Sequence, residues 1–269
     1  SALTVAPDIA NIAGLGGKTV AIPFWYSIHN VVLQKILREH GLKVVEKNPQ
    51  AGEVKLSVMA PSDMVAALAN RAIAGFIVAE PFNAVAEAKG VGKVLRFSGD
   101  VWRDHACCVT LMQEHDIARR PEWVQNVVSA LVEGQAWAAG HRADTALMLS
   151  KQGPHKYTPH EDKVLQNVLA PAPEAWARYT ESGIIRHPEW HQRRIDFQPY
   201  PYPSYTEKLV EMLKETHIAG VNRFLDELSP QHVAQDLVDA RFVKQAVEAG
   251  QFQQLFGLNG WTREEMIAV

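Results

Sequence analysis

Three short turns hold the residues whose types and spacing suit ligand chemistry. In Phe24-Trp25-Tyr26-Ser27-Ile28-His29, an apolar run gives way to two large aromatics, a hydroxyl and an imidazole. Ser27 suits a helix N-cap, and His29 then falls in the first helical turn, where an imidazole can face the same small molecule as the free backbone N–H groups. Trp25 and Tyr26 stand where they can cover an apolar part of that molecule; capping by Ser27 and a core role for the aromatics is the competing reading, and both stay open. The second turn, Met59-Ala60-Pro61-Ser62-Asp63-Met64, places proline at a first helical position with Ser62 and Asp63 in the first turn. Favourable placement of an acid near the helix dipole explains that pair without a ligand, and a carboxylate there repels a bare anion. In the third, Ala79-Glu80-Pro81-Phe82-Asn83, Glu80 sits at a strand's carboxyl end, where it can act as a polar gate to a ligand.

Two adjacent cysteines, Cys107-Cys108, lie in His105-Ala-Cys-Cys-Val-Thr-Leu-Met. A strand would point them to opposite faces, so the segment is expected to bury both as small residues, with a strained vicinal disulfide as the minor reading. His187-Pro-Glu-Trp-His191 spaces two imidazoles four apart, with His155 and His160 in a nearby loop, but the His-Glu-x-x-His order of a zinc protease is missing and no metal is expected. No nucleophile elbow, P-loop or dinucleotide glycine fingerprint occurs; Gly14-Leu-Gly-Gly17 precedes its strand and cannot cradle a phosphate in the usual way. No cofactor is expected.

These turns need a scaffold that brings them together. Strands are predicted at Thr19 to Pro23, Val54 to Met59, Ala74 to Ala79 and Val91 to Phe97. Between them run helices with Ile28, Val32, Leu33, Ile36 and Leu37 on one apolar face, and Met64, Val65 and Leu68 on another. This βαβ alternation predicts a parallel sheet with right-handed crossovers, whose carboxyl edge gathers the three turns. A further strand is expected over Ala106 to Met112. Beyond Pro121 the pattern is helical: Glu122 to Ala139, Ala143 to Lys151, Glu161 to Leu169, Glu174 to Glu181, Tyr205 to Lys214, Pro230 to Leu237 and Arg241 to Ala249. Phe197-Gln-Pro-Tyr-Pro-Tyr-Pro203 is too aromatic for a linker and reads as a pinned surface strap.

The 269 residues allow one large or two modest domains, and 47% hydrophobic with 21% charged residues excludes a disordered or fibrous chain. A net charge of -3 without a basic cluster argues against a nucleic-acid partner. No apolar run approaches the roughly 18 residues of a membrane span, and no transmembrane segment or signal peptide is expected in this sequence.

Taken in order, the motifs Gly17-Lys-Thr-Val-Ala-Ile-Pro with Ser27-Ile-His29, Pro61-Ser-Asp-Met-Val-Ala-Ala-Leu, Gly75-Phe-Ile-Val-Ala-Glu-Pro-Phe-Asn83 and Asp104-His-Ala-Cys-Cys-Val109 resemble the substrate-binding proteins of ABC importers for nitrate, bicarbonate, sulfonates, taurine and thiamine pyrimidine precursors. The likeness covers about Lys18 to Val109, and the helical remainder resembles that family's C-terminal part. It implies a periplasmic-binding-protein-like α/β fold, with an α/β ligand-binding lobe over 16–104 and a hinge strand plus the helical remainder of the other lobe over 1–15 and 105–269. It also implies a small-molecule ligand held between lobes, a membrane permease and an ATPase as partners, and a location in the periplasm or on a lipid anchor outside the cytoplasmic membrane. The ligand set it implies is Trp25, Tyr26, Ser27, His29, Ser62, Asp63, Glu80, Trp102 and Asp104, with no catalytic residue. Ala79 stands where the family has glycine, and the acids Asp63, Glu80 and Asp104 disfavour a bare anion. The chain begins just upstream of the second lobe, so a fragment or a reduced first lobe is expected. An enzyme on the same fold, with His29 or Cys107 as base or nucleophile, and a sensing domain of a larger polypeptide are the alternatives.

Overall fold

The structure is a computed structural model that describes every residue except Gln192. Six strands form one sheet in the order β3-β4-β2-β5-β1-β6: β1 Ala2–Val5, β2 Lys18–Ile22, β3 Lys43–Val45, β4 Glu53–Val58, β5 Gly75–Val78 and β6 Lys93–Phe97. Strands β3, β4, β2 and β5 run parallel, joined by α1 (Ile28–Glu39), α2 (Pro61–Ala69) and, after β5, α3 (Phe82–Ala88). Val20, Ala21 and Ile22 of β2 and Phe76, Ile77 and Val78 of β5 are buried, as expected of central strands covered on both faces. The apolar faces of α1 and α2 close this core through Ile28, Val32, Leu33, Ile36, Leu37, Met64, Val65 and Leu68. The four predicted strands and both helices are therefore present, displaced by a residue or two.

Two strands were not anticipated. β3 is a three-residue edge strand. β1 is more consequential: it lies antiparallel between β5 and β6, with Leu3 opposite Ile77 and Arg96. The segment 1–15, expected with the helical remainder, thus gives its strand to the α/β sheet. Four residues after an unassigned start leave too short a pattern to recognise, and their complete burial comes from neighbours distant in sequence. Gly75 accommodates this insertion, because a Cβ there would lie 2.9 Å from the Thr4 carbonyl oxygen.

The strand expected at Ala106 to Met112 does not form. Among the described residues, Cys107 to Met112 make no backbone-to-backbone hydrogen bonds, and Cys107 and Cys108 are exposed rather than buried. The composition is β-prone, but a strand needs a ladder to join, and none runs alongside.

The remainder is helical: α4 Glu114–Arg119, α5 Pro121–Gly140, α6 Arg142–Leu149, α7 Asp162–Leu169, α8 Pro173–Glu181, α9 Pro203–Lys214, α10 Phe224–Glu227, α11 Pro230–Leu237 and α12 Arg241–Ala249. All seven predicted helices are there; the short α4 and α10 are additional. The Phe197–Pro203 strap is pinned by Tyr200 and Tyr202, which pack with Val132, Val243, Val247 and Phe256. The last residues return to the sheet, where Ala268 N–H donates to the Val101 carbonyl (2.8 Å) and Arg103 N–H to that of Met266 (3.0 Å).

Candidate functional site

The carboxyl ends of β2, β4, β5 and β6, together with the start of antiparallel β1, lie along one edge of the sheet. The first turn rises from β2. Ser27 caps α1, accepting from Asn30 N–H (3.2 Å) and donating to the Phe24 carbonyl (2.7 Å), so its hydroxyl is largely committed to the turn itself. Behind it, buried Asn30 donates to the Trp25 carbonyl (2.6 Å) and accepts from Gln34 (2.9 Å). Gln34 also donates to the His217 carbonyl (2.7 Å) and accepts from His217 N–H (2.8 Å). This amide relay fixes the aromatic turn against the helical part. It escaped the sequence reading, although two amides four residues apart on an otherwise apolar helix face were its signal.

In the first turn of α1, His29 is 6% exposed. Its Nε2 lies 3.1 Å from Ser1 Oγ and 3.9 Å from Cys107 Sγ. Burial, then the charges of the Ser1 amine and His105, hold the imidazole far below its ordinary value, at about 3, so it is neutral at physiological pH. His105 shares the edge, its Nε2 2.8 Å from Ser98 Oγ; burial brings its value down to about 4. Crowding out of water, together with the neighbouring Cys108, raises the Cys107 thiol above its ordinary value. The side chains that form the inner wall around His29 are therefore uncharged, with the Ser1 amine beside them. Outside it stand the aromatics, with Tyr26 between Phe24 (ring centroids 5.6 Å) and Phe224 (6.1 Å), and Trp25 edge-on to His217 (5.8 Å).

At the second turn, Ser62 and Asp63 are exposed on the first turn of α2, with Ser62 Oγ 3.3 Å from Asp63 Oδ1. Asp104 is likewise exposed and pairs with Arg103 at 3.4 Å. Two members of the expected set turn inward. The Glu80 side chain has no exposure: its carboxylate accepts from Arg194 Nε (2.9 Å) and from Ala84 N–H (3.2 Å). A carboxylate out of water requires such a partner, so Glu80 is an anchor for the helical part rather than a gate. Arg194 goes on to Glu87 (3.0 Å) and the Tyr179 hydroxyl (3.2 Å), and these carboxylates raise its own value against the opposing effect of burial. Trp102 is fully buried, donating to Glu265 Oε2 (2.7 Å) and packing on Tyr205 (5.0 Å), a core position and not a ligand contact. The structure thus gathers Trp25, Tyr26, Ser27 and His29 on one turn, leaves Ser62, Asp63 and Asp104 exposed on others, and withdraws Glu80 and Trp102.

The histidine pair at 187 and 191 builds no shared site: His187 stacks on Trp190 (4.3 Å) and bonds Glu189, in a 3-10 turn over Pro188–Trp190. Two cavities lie away from the carboxyl edge. One of about 290 Å³ lies between Ile36 and His40 of α1, β6 and residues 182–186; the other, of about 310 Å³, lies by Asp8, Lys18 and Arg71.

A mixed sheet wrapped by helices, with neutral polar and aromatic groups gathered at its carboxyl edge, has the architecture of periplasmic binding proteins. The periplasmic nitrate-binding protein NrtA of Synechocystis PCC 6803 superposes with a TM-score of 0.67 at 15% identity, over 99% of this chain and 69% of that one. Residues 7–150 match the model of the NMT1-like family, to which this chain belongs. The nitrate/nitrite binding protein NrtA of Nostoc sp. is 31% identical over 85 residues, 32% of this chain and 19% of that protein. The bicarbonate transport ATP-binding protein CmpC of Synechocystis sp. is 31% identical over 113 residues, 42% of this chain and 16% of that protein. The matched segment thus spans less than a fifth of either relative.

Proposed function

We propose that this chain is the solute-binding part of an ABC importer, and that its ligand is a small polar molecule met by the carboxyl edge at Trp25, Tyr26 and His29, with Ser62, Asp63 and Asp104 on the rim. The carrying observation is this wall: a buried imidazole with a hydroxyl and a thiol at its Nε2, bordered by aromatic rings, offers hydrogen bonds from uncharged side chains. That wall suits a neutral or zwitterionic ligand better than bare nitrate, with Asp63 and Asp104 adding negative potential at the rim. Delivery to a permease with its ATPase, and a location outside the cytoplasmic membrane, follow from the same reading. Among the described residues no helix is long and apolar enough to cross a membrane.

Binding without covalent chemistry is favoured by the electrostatics. Cys107 lies 3.9 Å from His29, close enough to suggest a nucleophile and base, yet the raised thiol and the depressed imidazole keep the pair neutral instead of forming thiolate and imidazolium. Thermal-shift titration against nitrate, bicarbonate, alkylsulfonates and pyrimidines tests the site. A ligand that raises the melting temperature of the wild type should lose most of that shift in His29→Ala. An undiminished shift in that variant moves the ligand elsewhere.

A further inference from the structure

Cys107 borders His29 in the proposed wall, but the pairing of Cys107 with Cys108 is unexplained by ligand binding, and three observations about the pair converge. Both thiols are free and exposed. Their sulfurs lie 3.8 Å apart, on the same side of the chain, where a regular strand would have turned them to opposite faces. The backbone from Cys107 to Met112 carries no ladder hydrogen bonds among the described residues, so no sheet register has to be broken for it to bend.

We propose that Cys107-Cys108 is a redox dithiol, a modification site that closes to a vicinal disulfide at the expense of a low-molecular-weight disulfide. Reaching a bond of about 2.05 Å requires the two sulfurs to approach by about 1.8 Å, a movement that the unpaired segment permits. The thiolate of Cys108 attacks one sulfur of the oxidant, whose S–S bond breaks; one half stays on Cys108 as a mixed disulfide and the other leaves as a thiol. Cys107, losing its proton to solvent, then attacks the Cys108 sulfur and expels the second half as a thiol. The protein gives up two hydrogens and two electrons, and the oxidant becomes two thiols. Cys107 takes the second role because its sulfur is set against His29 Nε2 and Ser1 Oγ, each at 3.9 Å. Closing the ring draws that sulfur toward Cys108 and changes the contact with His29.

The test uses the whole chain with oxidised glutathione, followed by acid quenching and mass spectrometry. The expected product is a monomer lighter by two hydrogens, unreactive to iodoacetamide at both positions and restored by dithiothreitol. In Cys107→Ser the glutathione adduct on Cys108 should persist at least about tenfold longer than in the wild type, because no resolving thiol is present. A lasting adduct on the wild type, a disulfide-linked dimer, or two thiols still open to alkylation overturns the proposal. So does an adduct that is lost from Cys107→Ser as fast as from the wild type. The readout is the mass and lifetime of the adduct, and it does not depend on ligand binding.

Discussion

The two halves of the chain are held together by different means. From Leu3 to Trp102 the sheet and its helices share one continuous apolar core, with Leu3, Phe76, Ile77, Leu33 and Met64 shielded from solvent. Beyond α4 the apolar residues of α9 join this core through Met212, and the others divide into separate clusters. One, around Val132, Val247 and Phe256, belongs to the helical part alone. The others borrow from the sheet half: Val164, Leu165 and Val168 of α7 pack on Ala84, and Ile185 packs on Ala2, Val94 and Phe97. The clusters are bridged by apolar contacts, Tyr205 packing on both the sheet core and the Val247 cluster, and by polar ties from Arg194 to Glu80 and Glu87 and from Gln34 to His217. The helical part therefore depends on the sheet more than the sheet depends on it, and opening of α7 and α8 should precede loss of the core.

Truncation of the shared core should have the largest effect. Phe76→Ala empties the centre of β5 and should cost about 3–5 kcal/mol, lowering the midpoint of urea unfolding for the whole chain. If α5 and α12 then melted separately, the two halves would be more independent than described. Arg194→Ala leaves the Glu80 carboxylate buried without its partner and should cost about 3 kcal/mol. Hydrogen exchange should locate that loss in α7, α8 and the segment around Arg194, with β2 and β5 still protected; equal deprotection of β2 would mean that the sheet depends on the helical part just as much.

Acid tests the boundary between the halves. His29 holds a folded-state value of about 3 against 6.5 unfolded, so the unfolded chain binds more protons between them, and the stabilisation, complete above pH 6.5, declines as pH falls toward about 3. By pH 5 this one group should have withdrawn about 2 kcal/mol, and His29→Asn should flatten that part of the stability profile. The smallest effect is at the helix cap: Ser27→Ala should cost about 1 kcal/mol in thermal unfolding.

What could be read in advance followed from periodicity. β2, β4, β5 and β6 and the main helices repeat apolar residues at strand or helix spacing, so their types were legible without their neighbours. The 106–112 segment shows the limit, because its residues favour a strand but pairing is decided by what lies beside it. Within the proposed site, local rules foresaw the Ser27 cap and the place of His29 in the first turn of α1. Glu80 and Trp102 were misplaced because their surroundings are set by Arg194 and Glu265, more than a hundred residues away. No spacing within a turn reports such a partner.

β1 also bears on the order of events during synthesis. Residues 2–5 are made before both of their hydrogen-bonding neighbours, 75–78 and 93–97, so this strand has no partner until β5 has emerged and lacks its second until β6 has followed. The parallel strands β2 to β5 can assemble while it waits, and β1 then enters the gap between β5 and β6 as a late, long-range closure. Residues 2–5 are thus paired on both edges only once β6 is made, and the time needed to make 6–97 sets the interval during which one of their edges stays open.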